Sequence, residues 1–321
     1  MPIYNHLPYI PPFINNRHYL TIRTALYRKM DGVEYQRERI QTPDNDFLDL
    51  DWSWVEGSKR VVIVLHGMEG DAGRHYVKGM IKKANLMGST GLGFNFRGCS
   101  GEPNLQLRSY HSGETSDLHF VIDYIIKKYG FQKIGLIGFS LGGNVVLKYV
   151  GERNLHFPQL FIAAAISAPC DLYSTSVQLN KWYNKIYLRD FLSTLKAKAA
   201  KKESRFPKDL DYNAIAQSYD FFTYDEAYTA PAHGFPSAKA YWEDSSSLQY
   251  LPNIKLPTLL LSATDDTFLD TESYPYDIAK NNDSFFLKTT KSGGHLGFLQ
   301  KNDAELYSEK IVFDFFEEFG F

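Results

Sequence analysis

A short glycine-rich stretch of the chain has the composition of a turn that exposes a nucleophile. Residues 138–142 read Gly-Phe-Ser-Leu-Gly and lie between an apolar, strand-like run and a helix-like pattern. A sharp strand-to-helix turn lifts the side chain of Ser140 out of a sheet, and the glycines two residues before and after it prevent collisions between Cβ atoms. The helix N-terminus behind the turn stabilises developing negative charge. This context favours a nucleophilic Ser140 over the alternative, a capping serine in an ordinary βα loop.

A nucleophilic serine needs a base, and the base needs a carboxylate that orients it. Two carboxylates, Asp265 and Asp266, end an apolar run, and His295 follows the next predicted strand in the glycine-rich loop Lys-Ser-Gly-Gly-His. The order serine, acid, histidine matches the order used on folds that present the serine at a strand–turn–helix. The spacing to the apolar pair Phe268 and Leu269 favours Asp266 as the orienting acid, and Asp265 is the alternative. If Asp266 is the acid, we expect Asp265 to bond to a backbone turn. The alternative for His295 is a surface-loop histidine.

Acyl transfer also needs backbone donors for an oxyanion, and the loss of one such donor typically costs about 3 kcal/mol of transition-state stabilisation. The amide of Leu141, directly after the serine, is one expected donor. The second is expected in the loop after the first long apolar strand, residues 66–71, which read His-Gly-Met-Glu-Gly-Asp. We predict that the amide of Met68 is this donor. The alternative for this loop is a plain βα turn.

Apolar runs alternate with helix-like patterns along most of the chain, which predicts an α/β fold with a mostly parallel sheet flanked by helices. The predicted buried strands lie within residues 60–67, 90–98, 133–138, 160–169, 256–266 and 284–290. Two further strands are expected around a Pro-Asp-Asn turn at residues 43–45. From Cys170 to about Leu251 the pattern becomes helical, basic and aromatic. This predicts a cap, residues 171–251, inserted in a single domain of residues 1–321, with an irregular arm over residues 1–20 and a final helix from about Asp303.

Several motifs together resemble those of a known family. The stretches HGMEG, FNFRGCSGEPN, YHSGETSDL, GFSLGGN, DDTF and GGHLGF occur in that order, and the N-terminal stretches FINNRHYLTI and TPDNDFLDLDW fit the same pattern. The chain thus resembles the YheT-like α/β-hydrolases, which are relatives of the eukaryotic α/β-hydrolase-domain lipid esterases and of the medium-chain acyl-CoA:ethanol acyltransferases. The resemblance extends over nearly the whole chain. It implies an α/β-hydrolase fold and a catalytic triad of Ser140, Asp266 and His295.

Two departures from the family pattern are visible, and neither touches the predicted chemistry. Thr267 stands where the family often has proline, and the arm reads His-Tyr-Leu-Thr at residues 18–21 where the family tends to have His-Leu-Gln-Thr. In the most specific stretch, FRGCSGEPN, we expect Arg97 and Glu102 to form a charge-assisted pair that fixes the loop beside the nucleophile. Cys99, in the same stretch, is expected to be a small packing residue.

Composition and charge exclude several other classes of protein. The 321 residues are 44% hydrophobic and 22% charged, which is typical of a folded globular domain. A net charge of −2 gives no overall attraction to nucleic acid or to an anionic membrane. No apolar run approaches the ~20 residues that a membrane span needs, and no secretory pattern opens the chain. We therefore expect a cytoplasmic protein with no nucleic-acid partner and no integral membrane segment, while peripheral lipid contact stays open. Two cysteines fit neither a disulfide framework nor a metal site.

The leading functional prediction is a serine-dependent carboxylic ester hydrolase that forms an acyl-enzyme on Ser140. Its expected small-molecule substrates are short- to medium-chain acyl esters, lipid-derived esters among them, and the chemistry needs no metal or organic cofactor. One alternative is an acyltransferase that delivers the acyl group to an alcohol; His66 and Asp71 form the His-x4-Asp pattern cited for some acyltransferases. Another is a ligand-binding module without activity, because fold alone does not determine function. The sequence does not predict the oligomeric state.

Overall fold

One mixed sheet lies between two layers of apolar side chains. The computed structural model describes residues 3–4, 7–152, 157–301 and 304–321. The strands are β1 (Gln36–Gln41), β2 (Phe47–Ser53), β3 (Arg60–Leu65), β4 (Thr90–Phe94), β5 (Lys133–Phe139), β6 (Leu160–Ile166), β7 (Thr258–Ala263) and β8 (Phe285–Thr290). Their order across the sheet is β1-β2-β4-β3-β5-β6-β7-β8. β2 is antiparallel to both β1 and β4, and the other neighbours are parallel. The predicted α/β-hydrolase fold, with its mostly parallel sheet, is confirmed.

Helices connect most of the strands. They are α1 (Arg17–Tyr27), α2 (His75–Leu86), α3 (Ser116–Tyr129), α4 (Leu141–Glu152), α5 (Leu172–Asn180), α6 (Lys185–Ala200), α7 (Tyr212–Gln217), α8 (Phe221–Tyr224), α9 (Ala230–Ala232), α10 (Ala238–Ser245), α11 (Tyr276–Asn281) and α12 (Tyr307–Glu318). Short 3-10 turns occupy Trp182–Asn184, Ser247–Gln249, Leu251–Asn253 and Thr271–Ser273, and a π-helical turn occupies Asp225–Thr229.

The central strand β3 shows how the two faces of the sheet are filled. Val61, Ile63 and Leu65 belong to the apolar core that includes α3 and α4, whereas Val62 and Val64 belong to the core that includes α2 and α12. All five side chains are fully buried. A strand that is buried on both faces reads as a continuous apolar run, which is why the sequence predicts it so directly.

Between β6 and β7 the chain leaves the sheet and forms a helical segment, residues 171–251, that contains α5 to α10. The segment has an apolar cluster of its own, to which Leu188 and Leu192 of α6, Phe221 of α8 and Trp242 of α10 contribute. Phe268, from the loop after β7, belongs to the same cluster. The helical segment therefore packs against the strand ends that carry the predicted acids.

The ends of the chain differ from the prediction. The expected irregular arm over residues 1–20 is wrong in its last part, because helix α1 begins at Arg17. Asn16 is the reason: its side-chain oxygen accepts hydrogen bonds from the amides of His18 and Tyr19, at 3.0 and 3.1 Å, and so caps the helix. The expected start of the final helix, Asp303, lies outside the described residues, and the helix itself, α12, begins at Tyr307.

A buried arginine holds the loop that follows β4. The Arg97 guanidinium contacts the carboxylates of Asp44, Asp46 and Asp117 at 2.9, 3.1 and 2.6 Å. The expected pair between Arg97 and Glu102 is wrong, because Glu102 instead forms an exposed ion pair with Arg39 at 2.8 Å. Burial explains the difference: a guanidinium has five donors and, once removed from water, needs several acceptors that are buried with it.

Replacing Arg97 with Met should lower the free energy of unfolding by about 3–5 kcal/mol, because it removes the cation that bonds directly to the buried carboxylates of Asp46 and Asp117. Urea denaturation measures this change. Glu102→Gln is the matched control: it breaks an exposed ion pair and should cost about 0–1 kcal/mol. Equal effects of the two substitutions would contradict the structural role of Arg97.

Candidate active site

Ser140 lies on the turn between β5 and α4, with a backbone φ of +51°. A serine in this left-handed region is strained, and strain of this kind clusters at functional sites. Both predicted glycines are required by close approach of the backbone. A Cβ atom on Gly138 would collide with the carbonyl group of Gly142, and one on Gly142 would lie 2.5 Å from the carbonyl oxygen of His66. The turn therefore has the shape that the sequence predicts for a nucleophile.

Two hydrogen bonds connect Ser140, His295 and Asp266. Nε2 of His295 lies 2.9 Å from Oγ of Ser140, and Nδ1 lies 2.8 Å from Oδ2 of Asp266. Because the carboxylate can only accept from the ring, Nδ1 carries the proton and Nε2 accepts from the serine hydroxyl. This is the tautomer in which a histidine can remove a proton from a serine. The structure thus brings together the three side chains that the sequence predicts as a triad.

The structure also separates the two neighbouring aspartates. Asp266 is buried, and besides His295 it binds the amide of Phe268 through Oδ1 at 2.9 Å. Asp265 points elsewhere: its Oδ1 accepts a hydrogen bond from the amide of Gly294 at 2.9 Å. Asp266 therefore contacts the histidine ring, whereas Asp265 contacts the backbone of the loop that carries the histidine.

A residue of the N-terminal helix contacts this loop as well. The amide of His295 donates to Oγ1 of Thr21 at 2.9 Å, although the two residues are 274 positions apart in the sequence. The spacing of the catalytic motifs does not indicate this contact. The only signal for it is the resemblance of the arm, residues 18–21, to a family motif that ends in threonine.

The backbone after β3 runs alongside the serine. A Cβ atom on Gly67 would lie 3.3 Å from Cβ of Ser140. The next residue, Met68, lines the same pocket as Ser140 and Leu141. Within the described residues, neither the amide of Met68 nor that of Leu141 donates to a protein acceptor. Two backbone donors close to the serine are thus available for a ligand.

Ser140 and His295 line a pocket of about 840 Å³, a volume that includes its open mouth. Its apolar lining comes mainly from the helical segment, with Leu172, Leu179, Phe191, Leu195, Phe221 and Trp242 among the contributors. Phe268 lies against the imidazole of His295, with the ring centroids 4.3 Å apart. An apolar wall next to a serine and its base suits an acyl chain.

The lining of the pocket also includes a buried carboxylate, that of Asp225. It lies on the π-helical turn, a rare geometry that is frequent at functional sites. Its oxygens accept hydrogen bonds from Oγ1 of Thr229 at 2.5 Å and from Nε1 of Trp242 at 2.8 Å. Burial raises the pKa of Asp225 to about 7. Sequence reasoning missed this residue because it belongs to no recognisable motif.

We expect the Asp225→Asn variant to change how stability depends on pH. The pKa of Asp225 is about 7 in the folded protein, against an ordinary value of 3.8. The folded state therefore keeps a proton that the unfolded state has lost, so the stability of the wild type falls as the pH rises from about 4 to about 7. The variant lacks this titration. In thermal denaturation, the Tm of the variant relative to wild type should rise between pH 5 and pH 8; a constant difference would contradict the raised pKa.

Two other residues from the sequence analysis, His66 and Cys99, are buried. The ring of His66 donates from Nδ1 to the carbonyl of Gly67 at 2.7 Å and accepts at Nε2 from the amide of Phe96 at 3.2 Å. Burial lowers the pKa of His66 to about 4, so this ring is neutral and the His-x4-Asp pattern offers no free base. Burial also raises the pKa of the Cys99 thiol to about 12, in agreement with a packing role.

Comparison with known proteins agrees with the fold. A model of the alpha/beta hydrolase fold family matches residues 60–302, so the chain belongs to the α/β-hydrolase family. Its relatives include proteins named as an esterase, a phospholipase and a lipase, and the chain is a hydrolase. YheT of Escherichia coli is 33% identical over 291 residues, which are 89% of this chain and 85% of YheT. The mouse protein named phospholipase ABHD3 is 30% identical over 277 residues, which are 84% of this chain and 67% of that protein. The predicted resemblance to YheT-like proteins is confirmed.

A solved structure gives the same result for the fold. The esterase PF2001 of Pyrococcus furiosus superposes with a TM-score of 0.62 at 20% identity, covering 97% of this chain and 98% of that chain. In the described part of this chain, no helix is long and apolar enough to cross a membrane. Within the same residues, no group of three or more His, Cys, Asp or Glu side chains is arranged to hold a metal ion.

Proposed function

We propose that this hydrolase is a serine carboxylesterase that acts on short- to medium-chain acyl esters through an acyl-enzyme on Ser140. One observation carries the proposal: two hydrogen bonds link Ser140, on a strained turn that lines an apolar pocket, to His295 and His295 to Asp266. In this proposal the three residues form the catalytic triad, because each has the partner that its role requires.

The proposed reaction has two halves. In the first, Oγ of Ser140 attacks the ester carbonyl while Nε2 of His295 removes the hydroxyl proton, and the histidine then gives this proton to the departing alcohol. In the second, His295 takes a proton from water, which attacks the acyl carbon. The bond from that carbon to Oγ of Ser140 then breaks, His295 returns the proton to Oγ, and the acid leaves. Asp266 holds the imidazole in the required tautomer and stabilises its cationic form in both halves.

We further propose that the amides of Met68 and Leu141 bind the oxyanion of the tetrahedral intermediates. Their position next to Ser140 and the absence of a protein acceptor for either amide, among the described residues, support this role. The amide of Leu141 is also at the N-terminus of α4, where the helix dipole favours negative charge. Each donor is expected to contribute about 3 kcal/mol to transition-state stabilisation.

The helical segment is proposed to act as a cap, residues 171–251, inserted in one domain that comprises residues 1–321. Its apolar side chains would surround the acyl chain and exclude bulk water, which strengthens the electrostatic interactions at the serine. We also propose that lipid-derived esters are among the substrates, which the name of the mouse relative, phospholipase ABHD3, supports.

A chain-length series with a covalent probe tests this function. We expect a fluorophosphonate to label the wild-type protein and p-nitrophenyl esters to be hydrolysed, with an optimum of kcat/KM between butyryl and decanoyl in a series from acetyl to palmitoyl. Preincubation with the probe should remove hydrolysis in proportion to labelling. A wild-type protein that neither binds the probe nor hydrolyses any ester of the series would overturn the proposal.

Product analysis with added ethanol checks the acyl acceptor. Hydrolysis predicts that free acid remains the main product as the ethanol concentration rises. If the ethyl ester instead replaces the acid, the acyl-enzyme is retained but the protein is an acyltransferase, the alternative left open by the sequence.

A further inference from the structure

We propose that Thr21 is a positioning residue for His295, so that helix α1, which lies outside the sheet, fixes part of the active-site geometry. The proposal rests on the proposed function of His295 as the general base. The proposal assigns a role to helix α1, a part of the chain that the catalytic motifs do not include.

The loop that carries His295 adopts a backbone conformation that its own sequence disfavours. Gly294, Leu296 and Phe298 have φ values of 59°, 64° and 39°. Leucine and phenylalanine are strained in this left-handed region, and such strain persists only where the surrounding structure constrains the chain. Contacts from other parts of the fold therefore determine where His295 lies.

Thr21 makes such a contact directly. Its Oγ1 accepts from the amide of His295 at 2.9 Å and donates to the carbonyl oxygen of Arg17 at 2.8 Å. The second bond fixes the hydroxyl proton within α1, so a lone pair of Oγ1 is free to accept from the loop. The hydroxyl is thus oriented by the helix for this one acceptor role.

The loop also packs closely against α1 on both sides of His295. A Cβ atom on Gly294 would lie 2.5 Å from the carbonyl oxygen of Arg17, and one on Gly297 would lie 2.6 Å from the carbonyl oxygen of Leu20. Only glycine permits this approach. The two glycines and Thr21 together therefore fit the loop to the surface of the helix.

Helix α1 is itself anchored at both ends, as a positioning element must be. At its beginning, Nδ1 of His18 lies 3.0 Å from the hydroxyl of Tyr187 in the helical segment. At its end, Arg28 forms two hydrogen bonds with the carboxylate of Glu309 in α12, at 2.7 and 2.8 Å. Between these ends Leu20 is fully buried. The position of Thr21 is thus set by the rest of the fold.

The backbone and the ring of His295 have different supports. Phe268 packs against the ring, and Tyr187 packs against Phe268 with ring centroids 4.9 Å apart. The hydrogen bond between Thr21 and His295 is made to the backbone amide and not to the ring. Loss of the threonine hydroxyl should therefore displace the loop without removing any wall of the substrate pocket, which separates an effect on catalysis from an effect on binding.

The test compares Thr21→Val, which has nearly the same shape but no hydroxyl, with Thr21→Ser, which keeps the hydroxyl. We expect Thr21→Val to lower kcat by about 10- to 100-fold with KM within about twofold of wild type, since small displacements of a catalytic group have effects of this size. Thr21→Ser should restore kcat to within about threefold of wild type. Thr24→Val is the matched control, because in the described part of the chain the Thr24 hydroxyl bonds only within α1, to the carbonyls of Leu20 and Thr21.

Amide hydrogen exchange separates this proposal from the proposed function. The amide of His295 should exchange at least about 10-fold faster in Thr21→Val than in wild type or in Thr24→Val. Unchanged exchange, or equal loss of kcat in Thr21→Val and Thr24→Val, would overturn the positioning role even if the protein is an active esterase. Faster exchange in a protein whose wild type has no esterase activity would instead overturn the proposed function, and the catalytic part of this proposal with it.

Discussion

The Ser140→Ala variant should lose about 10⁵- to 10⁶-fold in kcat toward the best p-nitrophenyl ester and should no longer react with a fluorophosphonate. Loss of the nucleophile removes the acyl-enzyme pathway, and what remains is the slow reaction supported by binding and by the oxyanion donors. The backbone strain at φ +51° is the same for alanine and serine, since both have a Cβ atom, so folding should be preserved. Steady-state kinetics and gel detection of the labelled protein measure the two effects.

A second serine provides the control for this experiment. Ser167 follows β6, is fully buried, and has a φ of +50°, close to that of Ser140. Its hydroxyl has no hydrogen-bond partner among the described residues. Ser167→Ala should therefore retain wild-type labelling and turnover. If Ser140→Ala retains more than about a tenth of the wild-type kcat, Ser140 is not the nucleophile.

The second large effect is expected for Asp266→Asn, which should lower kcat by about 10⁴-fold. The amide of asparagine can donate a hydrogen bond to Nδ1, so it favours the wrong tautomer, in which Nε2 carries the proton and cannot accept one from Ser140. Asparagine also removes the negative charge that stabilises the imidazolium. The size of the change is measured as kcat at a fixed pH near neutrality, with the unfolding transition checked in parallel.

Asp265→Asn is a matched control because the two aspartates are adjacent and have different hydrogen-bond partners. The oxygen of an asparagine at 265 can still accept from the amide of Gly294, so this variant should lose less than about fivefold in kcat. The opposite ranking, with Asp265→Asn the more damaging substitution, would assign the triad acid to Asp265 and contradict the arrangement proposed for the site.

The parts of this protein that are visible in the sequence are those governed by local constraints. Continuous apolar runs predict strands such as β3 and β5, because a strand that is buried on both faces has no solvent-exposed face that needs polar residues. The turn at Ser140 is likewise visible, because glycine at 138 and 142 is required by contacts within a few residues of chain or with the neighbouring strand end. Fold class and candidate nucleophile therefore follow from short stretches of residues.

The other contacts of the active site and of the loop after β4 join distant parts of the chain, and no local sequence pattern predicts them. The sequence favours Asp266 over Asp265 only by spacing, whereas the structure distinguishes them by partner: one contacts the ring of His295 and the other the amide of Gly294. The sequence pattern pairs Arg97 with the wrong acid, Glu102, because the acids that Arg97 contacts become its neighbours only when β2, β4 and α3 have packed together.

Thr21 is the clearest case of a contact that only the tertiary structure decided. The sequence by itself determined that a serine, an acid and a histidine occur in the order of an α/β-hydrolase. It did not determine what holds the histidine loop, because the amide of His295 finds its acceptor 274 residues away, in a helix whose own beginning was predicted to be irregular. A hydrogen bond between distant segments depends on how the whole chain packs, and packing is a property of the folded molecule rather than of either segment.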